Sequence, residues 1–219
     1  EALKPRMGSC GRVGFPAVMG LYRSAKAIKH LEGSLGVPVF EIPGLPPSIP
    51  GMRLHNMMVE VIQSQGGFVY NGMTVSAATT EDQKVTGVWS EATARRKSHT
   101  AKSFVLATGG ILGGGISTQE NGYAQDVIFN IPIDTPLPRS TWFLDEFLAP
   151  GSHPIYTRGL HVDPGFHPVD ASGQTIYQNL YAIGSLLGNC DPIRERSLEG
   201  IALATGFKLG ENLSASGKR

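Results

Sequence analysis

From Met52 onward, apolar residues recur at steps of three and four, at Leu54, Met57, Met58, Val61 and Ile62. This spacing predicts an amphipathic helix with a buried, Met-rich face, ending at Gly66-Gly67. Upstream, residues 12–19 form a short apolar stretch around Pro16, which reads as an edge strand or the remains of a βα unit. A helix is expected over about 21–31 and a strand over 37–41. The Pro-rich run 42–51 reads as a rigid linker that cannot be regular helix. Downstream the period shortens. Residues 67–70, 73–78, 85–89 and 98–102 are strand-like pieces separated by polar turns, a meander. Residues 103–110 are continuously apolar up to a glycine stop, the signature of a strand buried on both faces. Residues 111–150 are rich in Gly and Pro, with one helix expected at 139–148, and read as an inserted excursion. The tail predicts a strand at 159–163, a tight hairpin turn over 168–174, a buried strand at 179–184 and a final helix over about 198–215. The fold class is α/β.

Composition narrows what such a chain does. Its 219 residues are 41% hydrophobic and 17% charged, enough to build a core. A net charge of +1 supplies no field to hold nucleic acid, so Arg95-Arg96-Lys97 reads as a solvated strand end. Two cysteines, Cys10 and Cys190, lack ligand-like spacing, and the histidines share no element, so no metal site is expected. No apolar run approaches the roughly 18 residues of a membrane span. The 28 glycines are nearly twice the usual share of about 7% and gather where strands meet loops, at 109–115 and 184–188. Glycine there suits close backbone contact with a ligand.

Two clusters carry that chemistry. Ala107, Thr108, Gly109 and Gly110 end the first apolar strand, where backbone can lie beside the nucleotide part of a cofactor. Gly184 and Ser185 end the second, followed by the small-residue helix start Glu199, Gly200, Ile201 and Ala202. The free N–H groups of such a helix start stabilise negative charge on a cofactor such as reduced flavin. The bland alternatives are an ordinary strand-to-loop turn and a helix packed closely on its sheet. In the first forty residues Gly8, Gly11 and Gly14 are spaced three and three, which is not the Gly-x-Gly-x-x-Gly opening of a dinucleotide-binding βαβ unit. The chain is therefore expected to be the closing part of a longer polypeptide.

Three stretches together resemble the B-type flavoprotein subunit of the anaerobic glycerol-3-phosphate dehydrogenases. They are residues 45–56 (Leu-Pro-Pro-Ser-Ile-Pro-Gly-Met-Arg-Leu-His-Asn), the strand 104–110, and Asn179-Leu180-Tyr181-Ala182-Ile183-Gly184-Ser185 with Asp191-Pro192-Ile193. The first is the specific one; the others occur across many flavoproteins. The resemblance implies a partial FAD/NAD(P)-binding (Rossmann-like) domain with an antiparallel, β-rich substrate-side region. Residues 1–102 would be a middle region, 103–110 and 159–219 the flavin-binding part, and 111–158 an insert. It also implies FMN (or FAD), and oxidation of glycerol 3-phosphate to dihydroxyacetone phosphate with electrons passed to quinone. The implied partners are a larger FAD-binding catalytic subunit and an iron–sulfur membrane-anchoring subunit, which would hold the protein on the cytoplasmic face of the membrane.

Oxidising a secondary alcohol requires a base for the hydroxyl proton, and His55 is the candidate, with Arg53 beside it as a phosphate or flavin partner. Arg194 and Arg196 are candidates for the substrate phosphate. Against these stand a satisfied surface histidine and a solvated charged loop. Two other functions remain open: an electron-transfer and assembly scaffold without turnover of its own, or a flavoprotein of ketosteroid dehydrogenase or fumarate reductase type.

Overall fold

The computed structural model describes residues 2–92, 95–136, 138–147 and 150–216. The chain forms two compact units, Glu1–Asn71 and Gly72–Arg219. The boundary thus falls between the Met-rich helix and the meander, within the middle region 1–102 that the resemblance implies.

The first unit is a βαβ arrangement. Strand β1 (Val13–Pro16) pairs in parallel with β2 (Val39–Ile42), and helix α1 (Ser24–Leu35) connects them. Gly36 closes α1 in the left-handed conformation, φ 75°, and its N–H bonds to Glu32 O. Gly14 lies beside Phe40 on the paired strand, where a Cβ would meet the end of the Phe40 ring at 2.8 Å.

Helix α2 (Ile49–Ser64) begins three residues before Met52, inside the stretch expected to be non-helical linker. Pro50 sits in the first turn, where a missing N–H costs nothing, and the Ser48 hydroxyl caps the turn by accepting from Gly51 N at 3.2 Å. The far end is a Schellman closure: Gly66 N bonds to Gln63 O and Gly67 N to Ile62 O, with Gly66 at φ 81°. The apolar stripe follows the predicted spacing, but its expected burial does not occur. Leu54, Met57, Met58, Val61 and Ile62 are 43–54% exposed, and no residue of α2 is buried. Residues 67–70 form no strand either. The chain reverses at the glycines, and Phe68 and Tyr70 stack on each other, ring centroids 6.2 Å apart.

The second unit contains the meander β3 (Val75–Glu81), β4 (Lys84–Ser90) and β5 (Lys97–His99), antiparallel throughout. Beside it, β6 (Phe104–Leu106) pairs in parallel with β10 (Leu180–Ala182). Asn179 ties these layers together. Its side chain accepts from Val85 N and donates to Val85 O, both at 2.9 Å, while its own carbonyl accepts from Phe104 N. In sequence between β6 and β10 comes a separate antiparallel sheet, β7 (Ile116–Thr118), β8 (Ala124–Asp126) and β9 (Pro132–Ile133). The core is formed by Val85, Phe104, Leu106, Ile116, Ala124, Ile131, Ile133, Leu160, Leu180, Ala182 and Leu186. Helix α3 (Leu198–Ser216) closes the unit as expected.

Three expectations fail in this unit. The apolar run 103–110 is not buried on both faces: Phe104 and Leu106 point inward, but Val105 is 43% exposed, and the strand stops at Leu106 before the turn at Gly109, φ 83°. The helix expected over 139–148 is only a 3-10 turn, Arg139–Thr141, and residue 148 lies outside the described residues. Other partners satisfy the backbone there, because Leu144 N donates to His153 Nδ1, Ile155 N donates to Trp142 O, and the His153 Nε2 hydrogen reaches Phe147 O. Residues 159–163 form only isolated bridges, Leu160 with Leu187 and Val162 with Pro168. The predicted hairpin turn does form. Asp170 accepts from Ser172 N and Gln174 N, and Gly173 takes φ 81°.

Candidate functional site

Strands β6 and β10 run parallel and end in register, Leu106 opposite Ala182, so their two glycine-rich exits emerge side by side. The carboxyl ends of parallel strands are where open α/β sheets hold ligands. Ile183 N extends the pairing to Leu106 O at 3.0 Å. Gly184 then turns at φ 73°, its N–H donating to Thr205 Oγ1 at 2.9 Å, while that hydroxyl donates to Ile201 O. This bond fixes α3 against the strand exit.

The two exits touch directly. Gly110 N donates to Ser185 Oγ at 3.2 Å, and a Cβ on Gly110 would stand 2.4 Å from Ser185 O. A Cβ on Gly115 would stand 1.9 Å from Gly109 O and 2.6 Å from Thr108 Oγ1. These glycines are therefore required by the chain's own close turns, before any ligand is considered. Thr108 Oγ1 is the one buried side-chain polar atom without a hydrogen-bond partner among the described residues. Ala107, just before it, is exposed.

A cavity of about 200 Å³ opens where these exits meet the start of α3. Its walls are mainly apolar: Ile111, Leu112, Ile155, Pro192, Ile193 and Leu198. Gly110, Gly113, Ser185, Tyr156 and Arg158 supply the polar groups. In the first turn of α3, Glu199 and Gly200 are exposed, Ile201 is half-buried and Ala202 exposed. Glu199 sits at the end of the helix that favours negative charge.

Arg158 is the cation on this wall. Its Nε donates to Pro154 O at 3.3 Å, and its Nη1 lies 3.6 Å from the carboxylate of Asp134, which is 79% exposed. Arg194 and Arg196, the cations picked out by sequence, are exposed and do not line the cavity. The loop carrying them is organised by buried Asp191, which accepts from Ile193 N and Arg194 N at 3.0 and 2.9 Å and from the Ser152 hydroxyl. Arg196 itself adopts φ 52°. Sequence reasoning missed Arg158 and Tyr156. The available signal was Gly159, whose Cβ would stand 2.4 Å from Leu186 O, marking the segment that runs against the β10 exit.

Arg53 and His55 belong to the first unit. Arg53 donates from Nε to Gly20 O at 2.7 Å and from Nη2 to Glu41 Oε1 at 3.0 Å, and its Nη1 also pairs with Glu41. Hydrogen bonding by Arg53, helped by Met19 N, holds the Glu41 carboxyl below the usual carboxylate range. Arg53 thus links α2 to β2. His55 is exposed on α2. No cluster of three His, Cys, Asp or Glu residues suited to a metal occurs among the described residues.

The sequence model of the FAD binding domain family matches residues 1–202. The chain belongs to that family. The resemblance read from the sequence is also found among curated proteins. The B-type subunit of a probable anaerobic glycerol-3-phosphate dehydrogenase from Halobacterium salinarum is 35% identical over 199 residues, 91% of this chain and 46% of the relative. The corresponding subunit from Pectobacterium atrosepticum is 33% identical over 208 residues, 92% of this chain and 46% of the relative, and that from Vibrio cholerae 27% over 201, 92% and 45%. The chain spans about half the length of these relatives. No solved structure matches it.

FAD is the flavin of this family, within the expected pair of FMN or FAD. The residues fit part of such a molecule. The cavity is smaller than the roughly 300–1,000 Å³ of pockets that enclose a whole ligand. Its apolar walls, single cation, hydroxyl and helix start match a flat aromatic ring with an electron-rich edge. The unpartnered Thr108 hydroxyl is buried and lies outside this cavity; Thr108 lines a separate, apolar one with Phe104 and Leu106.

Proposed function

We propose that this chain belongs to a flavin-dependent dehydrogenase subunit that oxidises glycerol 3-phosphate to dihydroxyacetone phosphate and passes the electrons toward quinone. The observation that carries the reading is the junction of Gly110, Ser185 and the start of α3 beside an apolar cavity, in a chain whose family binds FAD and whose relatives are named as subunits of that dehydrogenase. When bound, FAD would accept the hydride from the alcohol carbon. Ile111, Ile155 and Ile193 would exclude water from one part of the ring. Thr108, Gly109, Gly110 and Gly184 would lie along the cofactor, and the N–H groups of the first turn at Glu199 and Gly200 would favour its charged form, whereas Ile201 N is already bonded to Ser197 O. His55 is the proposed base for the hydroxyl proton, with Arg194 and Arg196 as proposed phosphate contacts.

Relatives named as one subunit of a dehydrogenase also imply an assembly. The proposed partners are a larger FAD-binding catalytic subunit and an iron–sulfur subunit, which would attach the complex peripherally at the cytoplasmic face of the membrane. No helix among the described residues is long and apolar enough to cross one.

A second reading has its own support. Among the described residues, no histidine or carboxylate lines the cavity, so its walls offer no ordinary base for alcohol oxidation. This favours a subunit that carries electrons while a partner oxidises the substrate. Purified full-length subunit, mixed with glycerol 3-phosphate and an artificial acceptor, separates the two: turnover supports the dehydrogenase, and bound flavin without turnover supports the electron carrier.

A further inference from the structure

We propose that Arg158 is the cationic partner of the flavin ring and raises its reduction potential. The inference rests on the reading above only in placing the flavin ring in the cavity beside Gly110 and Ser185. Among the described residues, Arg158 is the only charged one lining that cavity, and its side chain keeps 35% exposure, so the charge faces partly desolvated space. The guanidinium is anchored through Nε on Pro154 O, which leaves both terminal nitrogens able to donate. The Asp134 carboxylate, at 3.6 Å and mostly in solvent, offsets part of that charge across a solvent-screened contact. The other walls are aliphatic side chains, the Tyr156 phenol, the Ser185 hydroxyl and glycine backbone. A small polyol phosphate would leave hydroxyls unpaired against such walls, whereas a planar ring with one anionic edge would use both the apolar surface and the cation.

Two-electron reduction of flavin by a donor takes up two electrons and one proton and leaves one negative charge, spread over N1 and the C2 oxygen. A fixed cation at that edge holds the reduced form more tightly than the oxidised one.

The test uses full-length protein loaded with FAD, its midpoint potential read against a reference dye during slow enzymatic reduction. R158Q is expected to lower the preference for reduced over oxidised FAD about tenfold, a fall of about 30 mV for a two-electron couple. R158K, which retains the charge, is expected to shift the preference by less than about threefold, and R96Q, at an exposed strand-end pair, not at all. An R158Q potential equal to wild type overturns the inference while leaving the functional reading intact. A wild-type protein that binds no FAD overturns both. If R158Q does not fold, phenylglyoxal labelling of wild-type protein decides: FAD is expected to protect Arg158 at least fivefold relative to the apoprotein, and equal labelling overturns the inference.

Discussion

Replacing Gly110 by alanine tests the contact on which the site is built. The added Cβ would stand 2.4 Å from Ser185 O, whereas ordinary contact begins near 3.4 Å, so the two strand exits must separate by 3.4 − 2.4 = 1.0 Å. Gly110 is not in the left-handed region, so the cost is steric and not conformational. Overpacking of this kind costs about 1–3 kcal/mol. Losing the bond from Gly110 N to Ser185 Oγ adds about 0.5–1.5 kcal/mol. A total of about 1.5–4.5 kcal/mol corresponds to a fall of about 3–18 °C in melting temperature for a unit of this size. The assay is thermal unfolding of the full-length protein, with FAD affinity measured alongside. Gly210, in α3 with nothing within 4 Å of its Cβ position, is the control, and G210A should stabilise by about 0.5–1 kcal/mol. A G110A protein that melts within about 1 °C of wild type and keeps its FAD affinity would refute the packing argument.

Other perturbations have signs set by the same structure. Asn179→Ala removes both bonds to Val85 and leaves a buried N–H unsatisfied, so it should cost about 2–4 kcal/mol by denaturant titration, and an unchanged midpoint would contradict this. Glu41 has a lowered folded-state pKa, so its contribution is complete above the ordinary glutamate value of about 4.3 and is lost as pH falls below it. The acid limb of the stability curve should flatten in E41Q, and an unchanged limb would rule out this source. Burial, then the charges of Glu195 and Asp191, push the Cys190 thiol up, so it should alkylate with iodoacetamide far more slowly at neutral pH than exposed Cys10. Equal rates, read by peptide mass spectrometry, would contradict that.

What could be read from the sequence was what a few neighbouring residues decide. The Schellman glycines 66 and 67, the Asp170 turn and the small-residue start of α3 each form from local hydrogen bonds, and each stands where the sequence placed it. The start of α2 was misplaced because Pro50 looked like a barrier, although proline fits the first helical turn. Burial was less legible than secondary structure. The Met stripe and Val105 have the right periodicity, but periodicity does not say what covers a face, and here both are exposed. The glycine clusters have a reason that the sequence does not show: Gly110 and Gly115 make room for Ser185 and Gly109 of the same chain. Arg158 was missed because, beyond the hint of Gly159, its segment is placed by backbone bonds to residues 186–189, such as Leu160 N to Leu186 O and Asn189 N to Thr157 O, which no local pattern announces.

The central claim is that the exits of β6 and β10 and the start of α3 form part of a working FAD site. The most direct test is the flavin content of the purified full-length protein, released by heat and identified chromatographically, followed by anaerobic addition of glycerol 3-phosphate. The account predicts about one FAD per chain, bleached by glycerol 3-phosphate and lost in G110A. A well-folded full-length protein that carries no flavin and takes up none when FAD is supplied would contradict it.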